Sequence, residues 1–203
     1  MSTACSDLEI LIIGHSHVYW LGEFVDSAGS PGLFANFERQ GRRCNISFLG
    51  FRGATITTFR KQHVMARISA IKPDIVIVLL GANDLDNFVP SPQSVGFSLC
   101  VFADELLAVG VKQVCVCQIE RRRRWRHFDF EHGSSYVAAV NYLLEIECNG
   151  NRGLFYWRHK YIWNSQANIF RSDGVHFTTV GNLRLYRSVR GAIYKAISRV
   201  VDN

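Results

Sequence analysis

Short apolar runs alternate with longer amphipathic segments along nearly the whole chain. Five runs rich in Ile, Val, Leu or Phe predict strands buried on both faces of a sheet: residues 8–13, 45–49, 74–80, 111–119 and, more weakly, 153–157. Four segments with apolar residues at helical spacing predict helices: residues 55–71, 92–109, 134–148 and 180–201. This alternation favours parallel strands joined by crossover helices.

The predicted fold is α/β: one domain over residues 1–203, with three layers and a five-stranded, mostly parallel, doubly wound sheet. Ser91 and Pro92 are typical of an N-cap followed by proline in the first turn, and Gly110 is typical of a helix stop. In such sheets the functional loops lie beyond the carboxyl ends of the strands. The residues that follow each run are therefore the first candidates for a site.

Composition narrows the class of protein. No apolar run approaches the roughly 20 residues that span a bilayer, and residues 8–13 are too short for the core of a signal peptide. The six cysteines lack zinc-finger or CxxC spacing, which favours reduced thiols. We therefore expect an intracellular, cytoplasmic protein without a signal peptide or transmembrane segment.

The motif Gly14-His15-Ser16-His17 directly follows the first run. Gly14 permits a tight turn, and the start of the next helix favours negative charge near the Ser16 oxygen. A serine at this position is either a helix N-cap or a nucleophile. His15 and His17 are candidates for lining a substrate pocket beside it.

A second motif near the C-terminus, Asp173-Gly174-Val175-His176, decides between those readings of Ser16. In a catalytic reading, His176 takes the proton of Ser16 and Asp173 orients the imidazole. The alternative is an Asx-type turn that enters a helix with a surface histidine. The presence of a serine, an aspartate and a histidine after separate runs favours the catalytic reading.

Gly53 and Asn83 are candidates for an oxyanion hole, because each follows its own strand-like run. The backbone N–H groups of Ser16 and Gly53 and the side-chain N–H of Asn83 would hold a developing negative charge. Alternatively, Gly53 serves only a turn and Asn83 only a helix cap. Gly50 competes with Gly53 for the first role.

These blocks, in this order, resemble the SGNH (GDSL-type) hydrolases, which include esterases, lipases, acetylhydrolases and thioesterases. The resemblance covers residues 10–186 and is strongest at Gly81-Ala82-Asn83-Asp84-Leu85 and Asp173-Gly174-Val175-His176-Phe177. It implies a serine-dependent carboxylester hydrolase with no cofactor or metal, acting on a small acyl-ester or lipid-like substrate. The implied triad is Ser16, Asp173 and His176, and the implied oxyanion donors are Ser16, Gly53 and Asn83. His15 departs from the family, where an aspartate usually precedes the serine.

A narrower resemblance adds an arginine-rich segment. Gly-His-Ser-His-Val-Tyr-Trp, the arginine run before a helix and Asp-Gly-Val-His-Phe are similar to SGNH domains encoded by animal transposable elements, including the first open reading frame of some LINE-type retrotransposons. The run supplies candidates for binding nucleic acid or another anionic surface, with a solvated loop as the alternative. Its members are Arg121, Arg122, Arg123, Arg124 and Arg126. This implies an alternative function as an accessory module with a residual hydrolase site.

Gly14-His15-Ser16-His17 also resembles the Gly-His-x-His motif of calcineurin-like metallophosphoesterases. Asp84, Asp86 and His176 would then complete a set of ligands for a divalent ion. However, the motif lies at the wrong end of the chain for that family and its Asp-x-His and Gly-Asn-His-Asp partners are absent. A metal-dependent phosphoesterase is therefore the less favoured alternative.

Overall fold

A computed structural model describes residues 6–27, 36–87, 91–149, 152–160, 162 and 168–201. The strands are β1 (Leu8–Gly14), β2 (Phe37–Arg39), β3 (Arg42–Gly50), β4 (Ile75–Leu79), β5 (Gln113–Cys117) and β6 (Leu154–Trp157). The helices are α1 (Ser16–Asp26), α2 (Ile56–Phe59), α3 (Gln62–Ile71), α4 (Ala82–Asn87), α5 (Pro92–Ala108), α6 (Phe130–Glu147) and α7 (Thr179–Val201).

The strands form one sheet in the order β2-β3-β1-β4-β5-β6. The five predicted strands are all present, and they pair in parallel from β3 through to β6. The sixth, β2, was not predicted: it is three residues long and pairs antiparallel with β3 at the edge. Gln40 and Gly41 join the two strands with φ values of 53° and 71°, the geometry of a tight hairpin turn.

Helices cover both faces of the sheet, which confirms the predicted doubly wound α/β architecture. On β1, Leu11 and Ile13 pack into a core with helices α2 to α6, while Ile10 and Ile12 pack into a second core with α1 and α7. Both sets are buried because alternate side chains of a strand point to opposite faces. The uninterrupted apolar character of the central strands follows from this double burial.

The single helix predicted over residues 55–71 is divided in two. It breaks at Lys61, whose backbone is extended and which forms the N-cap of α3. The first piece, α2, begins where the Asp84 carboxylate accepts a hydrogen bond from the backbone N–H of Ile56 over 3.0 Å. A long-range side-chain cap of this kind leaves no signal in local helical periodicity. Ser91 and Gly110 do act as predicted, as the N-cap of α5 and as its stop at φ 103°.

Within the described ranges, no helix combines the length and apolar character needed to cross a membrane. Five cysteines fall in those ranges, and all five are free thiols: Cys44, Cys100, Cys115, Cys117 and Cys148.

Candidate active site

The four central strands bring the candidate residues to one edge of the sheet. β3, β1, β4 and β5 are parallel neighbours, so their carboxyl ends lie side by side. Ser16 follows β1, Gly53 follows β3, Asn83 follows β4, and Arg122 follows β5. The register places Gly14 beside both Gly50 and Leu79, so the first three loops leave the sheet at the same level.

Ser16 is the first residue of α1, and His15 is the N-cap. The turn before it is tight: a Cβ at Gly14 would lie 2.4 Å from the carbonyl oxygen of Leu79 and 2.6 Å from Val18. Only glycine fits that space, so the direction in which the chain enters α1 is fixed. No acidic side chain lies in the first turn, so the positive end of the helix is left facing Ser16.

The structure separates the two glycines that follow β3. A Cβ at Gly50 would lie 2.2 Å from the backbone nitrogen of Tyr19, so Gly50 permits the close approach of α1 to β3. Gly53 has φ 74° and would have nothing within 4 Å of an added Cβ. Gly53 is therefore an exposed turn residue with a left-handed backbone, whereas Gly50 serves packing.

The side-chain amide of Asn83 is held at both ends. Its Nδ2 donates to the carbonyl oxygen of Ala54 over 2.8 Å, and its Oδ1 accepts from Nη2 of Arg122 over 2.7 Å. Nδ2 carries two hydrogens, so one remains for a ligand. The contact with Ala54 ties Asn83 to the loop that contains Gly53.

Asp173 and His176 form a compact loop of their own. Asp173 Oδ2 is 2.8 Å from His176 Nδ1, while Oδ1 accepts from the backbone N–H groups of Val175 and His176 at 2.8 and 2.9 Å. Burial raises the pKa of Asp173, but these hydrogen bonds outweigh that effect and lower it to about 2. A charged carboxylate at Nδ1 favours the tautomer with the proton on Nδ1, which leaves Nε2 as a proton acceptor.

His17 joins the two ends of the chain. Its Nε2 donates to the carbonyl oxygen of Val175 over 2.9 Å, and its ring stacks on Phe177 with centroids 4.3 Å apart. The rings of His17 and His176 meet edge to face at 6.4 Å. Ser16 is thus adjacent in sequence to the residue that anchors the Asp173–His176 loop. Among the described residues, Ser16 and His176 share no direct hydrogen bond; such contacts are often long without substrate.

The arginine run does not behave as one surface. Arg122 is buried, with Nη1 3.2 Å from Asp86 Oδ2 and Nη2 on Asn83, so it belongs to the site rather than to an exposed polyanion patch. Arg123, Arg124 and Arg126 are exposed. Arg121 is only partly exposed. The backbone N–H of Arg123 also donates a hydrogen bond to the carbonyl oxygen of Gly174 over 2.8 Å. This bond joins the arginine run to the Asp173–His176 loop.

Beneath Ser16 lies a group of buried polar side chains that sequence reasoning only partly found. His15, His17, Glu120 and His159 are each 3% exposed or less. Burial, followed by the nearby His17, holds the pKa of His15 well below its usual value, so this ring is neutral. Burial also raises the pKa of Glu120, but its interactions with His17, His159 and His15 outweigh burial and lower it, so the carboxylate is charged.

Glu120 and His159 were missed as members of this region, and Asp86, a candidate metal ligand in the sequence, is instead the partner of Arg122. Glu120 carries the one available signal, because it directly follows the run at residues 111–119 and so leaves the sheet at the same edge as the other loops. The role of Asp86 as the partner of Arg122 depends on a contact between residues 36 apart, which no local pattern indicates. The alternative metal set is divided: Asp84 caps α2 and Asp86 pairs with Arg122, away from His15 and His17.

Solved structures share this fold over nearly the whole chain. A mutant of an acetyl esterase, solved with an acetate ion, has a TM-score of 0.69 at 17% identity, over 95% of this chain and 99% of that one. A carbohydrate esterase family 3 protein from Talaromyces cellulolyticus has a TM-score of 0.66 at 18% identity, over 94% and 98% of the two chains. A GDSL-like lipase from Bacteroides thetaiotaomicron has a TM-score of 0.64 at 16% identity, over 93% and 88%.

No protein-family model and no curated protein sequence matches the chain. At sequence identities below 20% and TM-scores of 0.64 to 0.69, these similarities show a shared fold and do not indicate the substrate. The chain therefore has the fold of the SGNH (GDSL-type) hydrolases, the family that its motifs resemble.

Proposed function

We propose that the protein is a serine-dependent carboxylester hydrolase. The observation that carries this proposal is the contact between His17 and the carbonyl oxygen of Val175, because it holds the Asp173–His176 pair against the helix that begins at Ser16. Names of the similar structures, which include acetyl esterases and a GDSL-like lipase, agree with hydrolysis of a small ester.

In the proposed mechanism, Ser16 Oγ attacks the acyl carbonyl while Nε2 of His176 accepts its proton. Asp173 holds the ring and stabilises its charged form. The tetrahedral oxyanion is bound by the backbone N–H groups of Ser16 and Gly53 and by the second hydrogen of Asn83 Nδ2. The alcohol leaves with the proton from His176, an acyl-enzyme remains, and water activated by His176 then releases the acid.

Hydrolysis of p-nitrophenyl acetate tests this function. Ser16→Ala should reduce the rate to that of buffer, since the nucleophile is gone and the small side chain keeps the helix start. Ser47→Ala, at an exposed position on β3, is the matched control and should keep full activity. Full activity in Ser16→Ala with an unchanged thermal unfolding curve would exclude the mechanism.

We also propose that the exposed arginines beside the site, Arg123, Arg124 and Arg126, bind a polyanion such as single-stranded RNA. Binding of this type weakens with salt because counterions are released from the phosphates. The triple Arg→Gln variant should lose RNA binding at low salt while retaining ester hydrolysis. Equal binding by the triple variant and the parent would refute this second proposal.

A further inference from the structure

A potential ligand set is buried next to Ser16, and none of its side chains takes a chemical step in the proposed reaction. One ligand-type atom from each of His15, His17 and Glu120 lies within 4.8 Å of the other two. The three residues are 1%, 2% and 3% exposed. Buried polar atoms are normally hydrogen-bonded or bound to a metal, so the partners of these three side chains decide what the cluster can hold.

The hydrogen bonds of His17 show which of its two ring nitrogens is available to bind an ion. Its Nε2 must donate, because its partner is the carbonyl oxygen of Val175 and a carbonyl can only accept. Its Nδ1 is buried and makes no hydrogen bond, and the same is true of Glu120 Oε1. In neutral His17, Nδ1 presents a lone pair toward the Glu120 carboxylate. Two acceptors in that arrangement repel each other unless a positive charge lies between them.

The spacing suits an ion better than a direct hydrogen bond. His17 Nδ1 is 3.7 Å from Glu120 Oε2, beyond the 2.7–3.2 Å range of an ordinary N–H···O bond. Two ligands of a tetrahedral zinc ion, each about 2.0–2.2 Å from it, lie about 3.4 Å apart. A shift of a few tenths of an ångström would therefore close the pair around a metal.

The kinds of donor atom identify the class of ion. Two imidazole nitrogens and one carboxylate oxygen suit zinc and its transition-metal neighbours, whereas calcium and magnesium prefer six or more oxygen ligands. The outer contacts also match, because metal-bound histidines usually donate their other N–H to a carbonyl, as His17 does to Val175. Glu120 also has an outer neighbour: its Oε1 is 3.8 Å from Nε2 of His159. The other ring nitrogen of His159, Nδ1, contacts Ser188 Oγ at 2.8 Å.

His15 can join the set at little cost. Its Nδ1 accepts a hydrogen bond from the backbone N–H of His17 over 3.3 Å, which is a long bond. Ligation through Nδ1 would replace this bond, and ligation through Nε2 would move the ring proton to Nδ1. In either case the only interaction lost is the long hydrogen bond between His15 Nδ1 and the backbone N–H of His17.

We propose that His15, His17 and Glu120 bind one divalent transition-metal ion of the zinc class in a buried site next to Ser16, with water as the fourth ligand. The ion would tie the start of α1 to the end of β5. Through the His17–Val175 contact it would also hold the loop that carries Asp173 and His176. The proposal does not depend on the hydrolase function, since Ser16 is not among the ligands.

Metal titration of the purified full chain, first stripped with a chelator, tests the proposal. Zn²⁺ should bind at one ion per chain and raise the thermal midpoint, and Co²⁺ should give the visible spectrum of a tetrahedral site. Loss of an outer contact alone typically costs about 10–100-fold in metal affinity, so His17→Gln and Glu120→Gln should each lose at least that much. His132→Gln removes an exposed histidine paired with Asp129 and should bind like the parent.

The outcomes separate this site from the proposed reaction. Ser16→Ala should bind Co²⁺ with an unchanged spectrum even though it lacks esterase activity. If Glu120→Gln does not fold, His17→Gln and the titration of the parent chain decide the question. Absence of stoichiometric Zn²⁺ binding by the parent, or equal binding by His17→Gln, would overturn the proposal.

Discussion

Arg122 Nη2 donates a hydrogen bond to Asn83 Oδ1 over 2.7 Å, and this contact sets the direction of the Asn83 amide. A guanidinium has no acceptor, so the atom it contacts must be the oxygen. Nδ2 therefore points to Ala54 and toward the loop that contains Gly53. An arginine from a run that looks basic and solvated thus orients a donor of the proposed oxyanion hole.

The first prediction concerns that donor. Asn83→Ala should lower kcat for p-nitrophenyl acetate by about 10²–10³-fold, with little change in KM, because the lost hydrogen bond forms mainly in the transition state. Steady-state kinetics measure the effect. Asn87→Ala, at the last residue of the same helix, is the matched control. A loss confined to KM would show that Asn83 binds substrate without stabilising the oxyanion.

The second prediction concerns the ion pair between Arg122 and Asp86. Both side chains are buried, so removing one leaves an uncompensated charge, and Arg122→Gln should lower the free energy of unfolding by about 3–5 kcal/mol. The double variant with Asp86→Asn should recover part of that loss, because neither member of the pair is then left as an unpaired charge. Urea unfolding of the four proteins gives the coupling. Arg67→Gln, exposed on α3, should be neutral. Strict additivity would contradict the assigned pair.

The third prediction distinguishes the two glycines after β3. Gly50→Ala should destabilise the fold by about 3 kcal/mol, the upper end of the usual cost of overpacking, since the new methyl group would overlap the backbone of Tyr19. Gly53→Ala meets no atom and should cost only about 1–2 kcal/mol, from its left-handed backbone. Gly53→Ala should also lower kcat at permissive temperature, as the loop shifts its N–H. If Gly50→Ala were the milder change by urea unfolding, the packing assignment would be wrong.

The fourth prediction is a pH dependence at Asp84. Burial, only partly offset by the hydrogen bond from Ile56 N–H, raises the pKa of Asp84 from 3.8 to about 6. Between these values the folded state holds a proton that the unfolded chain has lost, so this group's contribution to stability falls as pH rises through that window. Asp84→Asn should therefore gain stability relative to the parent at about pH 8, by at most about 3 kcal/mol, and not at about pH 4.

Urea unfolding at both pH values measures this difference. The asparagine oxygen can still accept the hydrogen bond from Ile56, so the cap of α2 is retained. Asp104→Asn, at an exposed position on α5, serves as the control. A gain of equal size at both pH values would contradict the assigned titration.

Local patterns predicted β1, β4 and β5 well because these strands are buried on both faces and therefore almost continuously apolar. The short edge strand β2 was missed because its turn, Gln40-Gly41, lacks the usual asparagine or aspartate before glycine. Motif order predicted that Ser16, Gly53 and Asn83 would lie at one edge of the sheet, as they do. It could not reveal that Arg122 turns inward, because burial of an arginine depends on Asp86, which comes from a different loop.

For His15 and His17, too, the local sequence does not reveal which distant residues surround them. Their sequence neighbours suggested a pocket lining or a metal ligand, and nothing local distinguished the two. The structure places both rings below the surface, where Glu120 supplies a charge that the linear motif does not contain. Contacts between distant segments therefore determine the chemistry of these histidines.

The central claim is that His176 activates Ser16 as a nucleophile, and covalent labelling with a fluorophosphonate tests it most directly. Mass mapping of the labelled, intact protein should place the adduct on Ser16 alone. His176→Ala should label at least about 100-fold more slowly, because a general base contributes about 10²–10⁴-fold. His132→Gln should label at close to the parent rate, since that exposed ring pairs with Asp129 at the start of α6. An adduct on another residue, or equal labelling of the parent and His176→Ala, would contradict the claim.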